Sequence, residues 1–122
     1  PEDSFQYIKD STRVVAFDEV HLFDETILDV IEYLVDENKR VIAVGLDTNF
    51  RGEPFEKMSY LMSIAEYIDK LHGVCKICGE LGTKTQRYVD GKPAHVDDPT
   101  ILVGGTESYS CVCRRHHVVR KD

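Results

Sequence analysis

The stretch RVVAFDEVHLFDETILDVIEYLVDENKRVIAVGL, residues 13–46, decides the fold. Its first piece, Arg13-Val14-Val15-Ala16-Phe17-Asp18, is apolar without alternation and ends in acid, which reads as a short strand buried on both faces, as in a parallel sheet. Asp24 can cap a helix, and Ile27, Leu28, Ile31, Leu34 and Val35 then recur at helical spacing on one face. Asn38-Lys39-Arg40 breaks that helix, and Val41-Ile42-Ala43-Val44-Gly45-Leu46 supplies a second buried strand. Strand, helix, strand at this spacing is a βαβ unit with a right-handed crossover, the building block of a parallel α/β sheet.

Downstream, residues 47–54 read as a polar, Gly-containing loop, and helical spacing returns at Met58, Leu61, Met62 and Ala65. From Lys70 the character changes. Gly73, Gly79, Gly82, Gly91, Pro93, Pro99, Gly104 and Gly105 punctuate short β-like pieces at Thr83–Val89, Thr100–Val103 and Tyr109–Cys113. The expected organisation is an α/β core over residues 1–69 and a small β subdomain over residues 70–122. A net charge of −7 argues against a nucleic-acid partner, because neutralising phosphates takes a basic stripe. No apolar run approaches the length of a membrane span.

Four cysteines stand at positions 75, 78, 111 and 113. Cys75-Lys76-Ile77-Cys78-Gly79 has zinc-knuckle spacing: two intervening residues let both thiolates reach one metal, and Gly79 permits the tight turn. Cys113-Arg114-Arg115-His116 repeats that spacing and completes a Cys3His set, which has no open position and is therefore structural. Cys111 competes with Cys113, since alternate strand residues share a face, and His117 competes with His116.

Asp18-Glu19 follows the first strand directly, at the carboxyl end where a parallel sheet opens to its ligand crevice. There an Asp can hold Mg²⁺ and a neighbouring Glu can act as general base on a hydroxyl, although acids also decorate helix starts. A magnesium-holding acid of this kind needs a phosphate-binding loop, and no Gly-x-x-x-x-Gly-Lys-[Ser/Thr] occurs in the 122 residues. The expectation is that the loop lies upstream of Pro1 and that the chain alone is an inactive fragment.

Four segments together resemble the zinc-containing, cytosolic-type thymidine kinases. They are Phe17–Phe23 (FDEVHLF), Gly45–Phe55 (GLDTNFRGEPF), Lys70–Gly79 (KLHGVCKICG), and the run from Asp98-Pro99 through Val103-Gly104-Gly105 to Tyr109 and Cys113–His116. The resemblance implies a P-loop NTPase-like (RecA-like) parallel-sheet core, incomplete here, and a zinc-ribbon β subdomain with a lasso loop. It implies ATP-dependent, Mg²⁺-assisted phosphorylation of the thymidine 5′-hydroxyl to dTMP, in nucleotide salvage in the cytoplasm. It also implies a homotetramer with feedback by dTTP.

Family roles fall residue by residue. Glu19 matches the general base. Asp18 matches the Mg²⁺-associated acid, with His21 also on the Mg/ATP side. Leu22, Phe50 and Phe55 match walls near the thymine, and Thr85 matches a pocket residue beside its methyl group. Thr100, Ile101, Leu102, Val103, Gly104 and Tyr109 match the lasso that closes over the nucleoside. Cys75, Cys78, Cys113 and His116 match the zinc ligands. His21-Leu22 stands where many members carry Gln-Phe, so position 22 offers a smaller wall. Two other readings are a non-catalytic zinc-ribbon binding module and a P-loop kinase for another deoxynucleoside. The buried βαβ unit speaks against a free-standing ribbon.

Overall fold

The computed structural model describes residues 6–100 and 106–122. The described residues form two compact units, the first built from residues up to Asp47 with Phe55–Glu66, the second from Thr48–Pro54 with Tyr67–Asp122.

The first unit is the expected βαβ arrangement. Strands β1 (Val14–Phe17) and β2 (Arg40–Ala43) pair in parallel, Val15 opposite Val41 and Phe17 opposite Ala43. Helix α1 (Thr26–Asp36) makes the crossover. Asp24 starts it: Oδ1 accepts the Thr26 N–H at 3.0 Å and its carbonyl accepts the Ile27 N–H at 3.2 Å. Asn38 ends it in the left-handed conformation (φ 62°), while Asn38 N–H donates to the Val35 carbonyl and Lys39 N–H to that of Leu34. This is a Schellman stop with Asn in place of Gly. The Lys39 ammonium then donates to the carbonyls of Thr12 (2.7 Å) and Lys9 (3.1 Å), fixing the approach to β1.

The core of this unit is Phe17, Val20, Ile27, Val30, Ile31 and Leu34, with Met58 and Leu61 from α2 (Glu56–Ile64). Val30 takes the place expected for Val35, which is exposed. Positions 27, 30, 31 and 34 span one stripe, and 35 falls at its edge.

The expectation of strands buried on both faces is not met. Val15, Val41 and Ala43 pack against the core, whereas Val14, Ile42, Val44 and Leu46 are exposed. The described helices supply a layer to one face, so among the described residues the other apolar face is left uncovered.

The second unit is antiparallel. β5 (Lys84–Val89) lies between β6 (Lys92–Pro93) and β7 (Glu107–Val112), with Lys84 opposite Val112 and Val89 opposite Glu107. Asp90 (φ 52°) and Gly91 (φ 78°) form the two-residue turn from β5 to β6; two positive φ values mark a type I′ turn, whose twist suits a hairpin. A smaller hairpin pairs β3 (Gly73–Val74) with β4 (Leu81–Gly82).

Candidate functional site

The candidate residues fall into two groups, one in each unit.

In the first unit, the β1–β2 ladder runs on past Ala43 but leaves two residues out. Val44 N–H donates to the Phe17 carbonyl (2.9 Å), and the Val44 carbonyl accepts the N–H of Val20 (3.0 Å). Asp18 and Glu19 bulge out between those bonds, both exposed. Glu19 is held in the left-handed region (φ 53°, ψ 42°), and its N–H donates to Asp18 Oδ1 at 2.8 Å. A non-glycine residue rarely adopts that conformation unless its surroundings dictate it.

A 3-10 turn at Val20–Leu22 follows. Val20 anchors it, fully buried, while Leu22 is exposed. His21 Nδ1 accepts the Leu46 N–H at 3.0 Å, and its ring meets that of Phe55 at 4.9 Å between centroids. Burial lowers the His21 pKa; Glu19 opposes this, Lys57 adds to it, and Asp18 opposes it. The imidazole is thus held neutral, with Nδ1 as acceptor. Gly45 makes the approach possible, because a Cβ there would lie 3.1 Å from His21 Nδ1 and 3.0 Å from Met58 Sδ. Phe55 N–H donates to the Asp47 carbonyl (2.8 Å), closing the loop that carries residues 48–54.

In the second unit, Cys75, Cys78, Cys113 and His116 bring their ligand atoms within 4.8 Å of one another. The β3–β4 hairpin presents the first pair: Gly79 (φ 78°) donates its N–H to the Cys75 carbonyl, and Cys75 N–H donates to that of Glu80. The end of β7 presents Cys113, and a 3-10 turn over Arg114–His116 brings His116 round. Separations are 3.8 Å for Cys78 Sγ to Cys113 Sγ, 3.7 Å for Cys75 Sγ to His116 Nδ1 and 3.2 Å for Cys113 Sγ to His116 Nδ1. A zinc tetrahedron with bonds of about 2.0–2.3 Å has ligand–ligand edges of roughly 3.5–3.8 Å. The donor set and its spacing therefore fit zinc.

Two of the three thiols, those of Cys75 and Cys113, are shifted toward the thiolate, while Cys78 is pushed up: its hydrogen bond from the Glu80 backbone lowers it, but burial and the neighbouring Cys75 and Cys113 outweigh that. Burial works against ionisation of Cys75, but backbone hydrogen bonds from Cys78, Cys113 and Ile77, with His116, outweigh it and bring the thiol down to about 5. Burial likewise opposes ionisation of Cys113, and the backbone of His116 and Arg115 pulls its pKa down. Hydrogen bonds to Cys75 and Cys113 raise that of His116.

The two competitors are otherwise engaged. Cys111 pairs with Thr85 across the β5–β7 ladder, and its Sγ sits in the space left by Gly73 and Gly82. His117 Nε2 donates to the Phe50 carbonyl at 2.7 Å.

The remaining expected nucleoside contacts are described in part. Thr85 is half-buried in β5. Tyr109 is exposed on β7, and its hydroxyl donates to Glu107 Oε2 at 3.2 Å. Thr100 Oγ1 accepts from Arg51 Nη1 at 3.2 Å. Ile101, Leu102, Val103 and Gly104 lie outside the described residues. Phe50 is buried at 4% exposure, its ring covered by the guanidiniums of Arg51 (4.5 Å) and Arg87 (4.8 Å). Sequence reasoning missed those arginines. The available signal was Gln86-Arg87 in mid-strand, where both side chains are buried. Gln86 Nε2 donates to the Val118 carbonyl, and its Oε1 accepts the Val118 N–H, each at 2.8 Å.

The family model described as thymidine kinase matches residues 2–117. Curated proteins named thymidine kinase from two strains of Halobacterium salinarum are each 48% identical to this chain over 110 residues. The match covers 90% of this chain and 56% of each relative, so the chain spans about half the length of these relatives. No described helix is long and apolar enough to cross a membrane.

Proposed function

The chain belongs to the thymidine kinase family, and from that premise we propose that it supplies the base-bearing and zinc-bearing part of an enzyme that transfers the ATP γ-phosphate to the 5′-hydroxyl of thymidine, giving dTMP. The observation that carries this reading is the Asp18–Glu19 bulge. Two adjacent carboxylates stand free of the ladder at the carboxyl end of a parallel strand, bracketed by both hydrogen bonds of Val44. Phosphoryl transfer asks for positioned charge and a base near the attacking hydroxyl, rather than covalent chemistry by the protein.

In this reading Glu19 accepts the proton of the 5′-hydroxyl as the nucleophile forms. Asp18, oriented by the Glu19 N–H, is the residue that would hold Mg²⁺, which when bound with ATP offsets phosphate charge. His21 stays neutral beside them. Leu22 and Phe55 offer apolar contacts to the base, and Phe50, from beneath its two guanidiniums, fixes the loop around it. Thr85, Thr100, Tyr109 and the 101–104 stretch contact the nucleoside. Zinc at Cys75, Cys78, Cys113 and His116 ties the β3–β4 hairpin to the end of β7 and does no chemistry. We extend the family reading to a cytoplasmic homotetramer inhibited by dTTP, open to test by sedimentation and inhibition assays.

The test is Glu19→Gln in the full-length enzyme. It should lower kcat by about 10²–10⁴-fold, the usual contribution of a positioned base, while leaving thymidine binding nearly unchanged. Near-normal turnover would remove Glu19 from the mechanism.

A further inference from the structure

The segment 96–100 has no regular secondary structure, yet two arginines take hold of most of it. Arg51 Nε donates to the Val96 carbonyl (2.7 Å), Nη2 to the Asp98 carbonyl, and Nη1 to Thr100 Oγ1 (3.2 Å). Arg87 Nη1 donates to the Pro99 carbonyl. The same guanidiniums cover the Phe50 ring. Arg87 is fully buried and pairs twice with Glu107 Oε2, at 3.0 Å through Nε and 2.9 Å through Nη2. That oxygen also accepts the Tyr109 hydroxyl. Thr100 and Tyr109 thus hang on one cluster, in which Phe50 and Arg87 are buried, Arg51 is half-buried and Glu107 faces outward.

Arg51 can hold this position because its loop is itself fixed. Asn49 Oδ1 accepts the N–H groups of Arg51 (2.9 Å) and Glu53 (3.1 Å), and Thr48 bridges Pro54. Gly52, at φ 83°, allows the turn between them. A planar fork with several fixed donors suits such multiple carbonyl contacts, and a lysine ammonium does not reproduce it.

We propose that Arg51 is a positioning residue for nucleoside binding: stacked on Phe50 beside Arg87, its guanidinium sets segment 96–100 so that Thr100 lies in register with Tyr109. The proposal rests on the reading of Thr100 and Tyr109 as nucleoside contacts. It accounts for a buried aromatic, a fully buried Arg87 and a half-buried Arg51 in one place, an arrangement costly to keep without such ordering.

The experiment compares wild type, Arg51→Lys, Thr100→Val and the double variant in the full-length, zinc-loaded enzyme. Arg51→Lys should raise KM for thymidine about tenfold, with kcat, KM for ATP and metal content within about twofold. The rise in thymidine KM in the double variant should fall short of the product of the two single rises, because Arg51 acts in part through Thr100. Hydrogen exchange at the Asp98 and Thr100 amides should quicken in Arg51→Lys without nucleoside present. An unchanged thymidine KM, or equal rises in both KM values, overturns the proposal, as does unaltered exchange at residues 98 and 100. If wild type fails to phosphorylate thymidine, the kinase reading falls, while the exchange readout still decides whether Arg51 holds this segment.

Discussion

Adding one methyl group at Gly82 tests why Cys111 stands apart from the cluster of Cys75, Cys78, Cys113 and His116. Cys111 Sγ occupies a slot between two glycines: a Cβ at Gly82 would lie 2.4 Å from it, and one at Gly73 would lie 2.8 Å from it. Ordinary non-bonded separations are about 3.5–4.0 Å, so the Gly82 methyl would intrude by more than 1 Å. On the other side it would meet Cys75 N and the Val74 carbonyl carbon, both at 3.1 Å, so it cannot retreat. The φ of Gly82 is not in the left-handed region, so alanine is allowed there and would even gain a little by restricting the unfolded chain. The sign of the effect is therefore set by the clash. Overpacking of this kind costs about 1–3 kcal/mol.

Gly82→Ala should thus lower stability by that amount in denaturant melts of the metal-loaded protein. It should also make zinc easier to strip with a chelator, because the push falls on the backbone of a ligand. Cys111→Ala in the same background removes the offending sulfur. The pair should show a favourable coupling of about 0.5–3 kcal/mol, and zinc retention should recover. If Gly82→Ala is as stable as wild type, or equally harmful with and without Cys111, the thiol does not fill that slot and its separation from the cluster needs another cause.

Two further outcomes follow from the same geometry. Cys113→Ser and His116→Ala should each weaken zinc retention, measured as metal per chain after dialysis against a chelator, whereas Cys111→Ser and His117→Ala should leave it unchanged; loss of zinc from Cys111→Ser with retention in Cys113→Ser would reverse the ligand assignment. His21 should titrate below the ordinary imidazole value of 6.5 by NMR, since burial disfavours its charged form. A depressed histidine pKa means the unfolded chain binds the proton more readily, so this contribution to stability is complete above pH 6.5 and is lost as pH falls through the folded value. His21→Gln should flatten that slope in the zinc-loaded protein, and a midpoint above 6.5 would refute the neutral assignment.

What the sequence revealed depended on whether the physics was local. The βαβ unit and its stop were legible because Asp24, the 27/31/34 stripe and Asn38 each act within a few residues of themselves. The metal cluster was legible because ligand spacing is a local constraint, and ordering Cys113 over Cys111 needed only the repeat of two intervening residues. That only one face of β1 and β2 is covered was not legible: apolar composition says that a face seeks cover, not what provides it, and among the described residues Val14, Ile42 and Val44 remain exposed. Arg51 and Arg87 were missed because a charged side chain reads as surface by default. Only long-range partners, the carbonyls of Val96, Asp98 and Pro99 with Glu107, make the full burial of Arg87 and the partial burial of Arg51 tolerable. Nor does aromatic character say which neighbour covers a ring, so the two guanidiniums over Phe50 were not legible either.

Glu19 is where local preference and observed structure conflict most sharply, and the conflict bears on function. Glutamate in the left-handed region costs about 1 kcal/mol or more relative to extended or helical backbone. The bulge could have been built with glycine, which adopts that conformation freely. The surroundings instead force it on Glu19, through Val44 bonded to both Phe17 and Val20, and through Val20 buried completely beneath it. Strain kept at a solvent-exposed acid, where packing gains nothing from the side chain, is what a site selected for its carboxylate would show. Glu19→Gly should therefore be at least as stable as wild type, offsetting the relieved strain only partly by the extra freedom of its unfolded chain. Glu19→Gln, which keeps the strain, should match wild type in stability. Both variants should lose turnover alike. A Glu19→Gly protein destabilised by more than about 1 kcal/mol would mean that the side chain holds the bulge together, and the strain would then carry no message about catalysis.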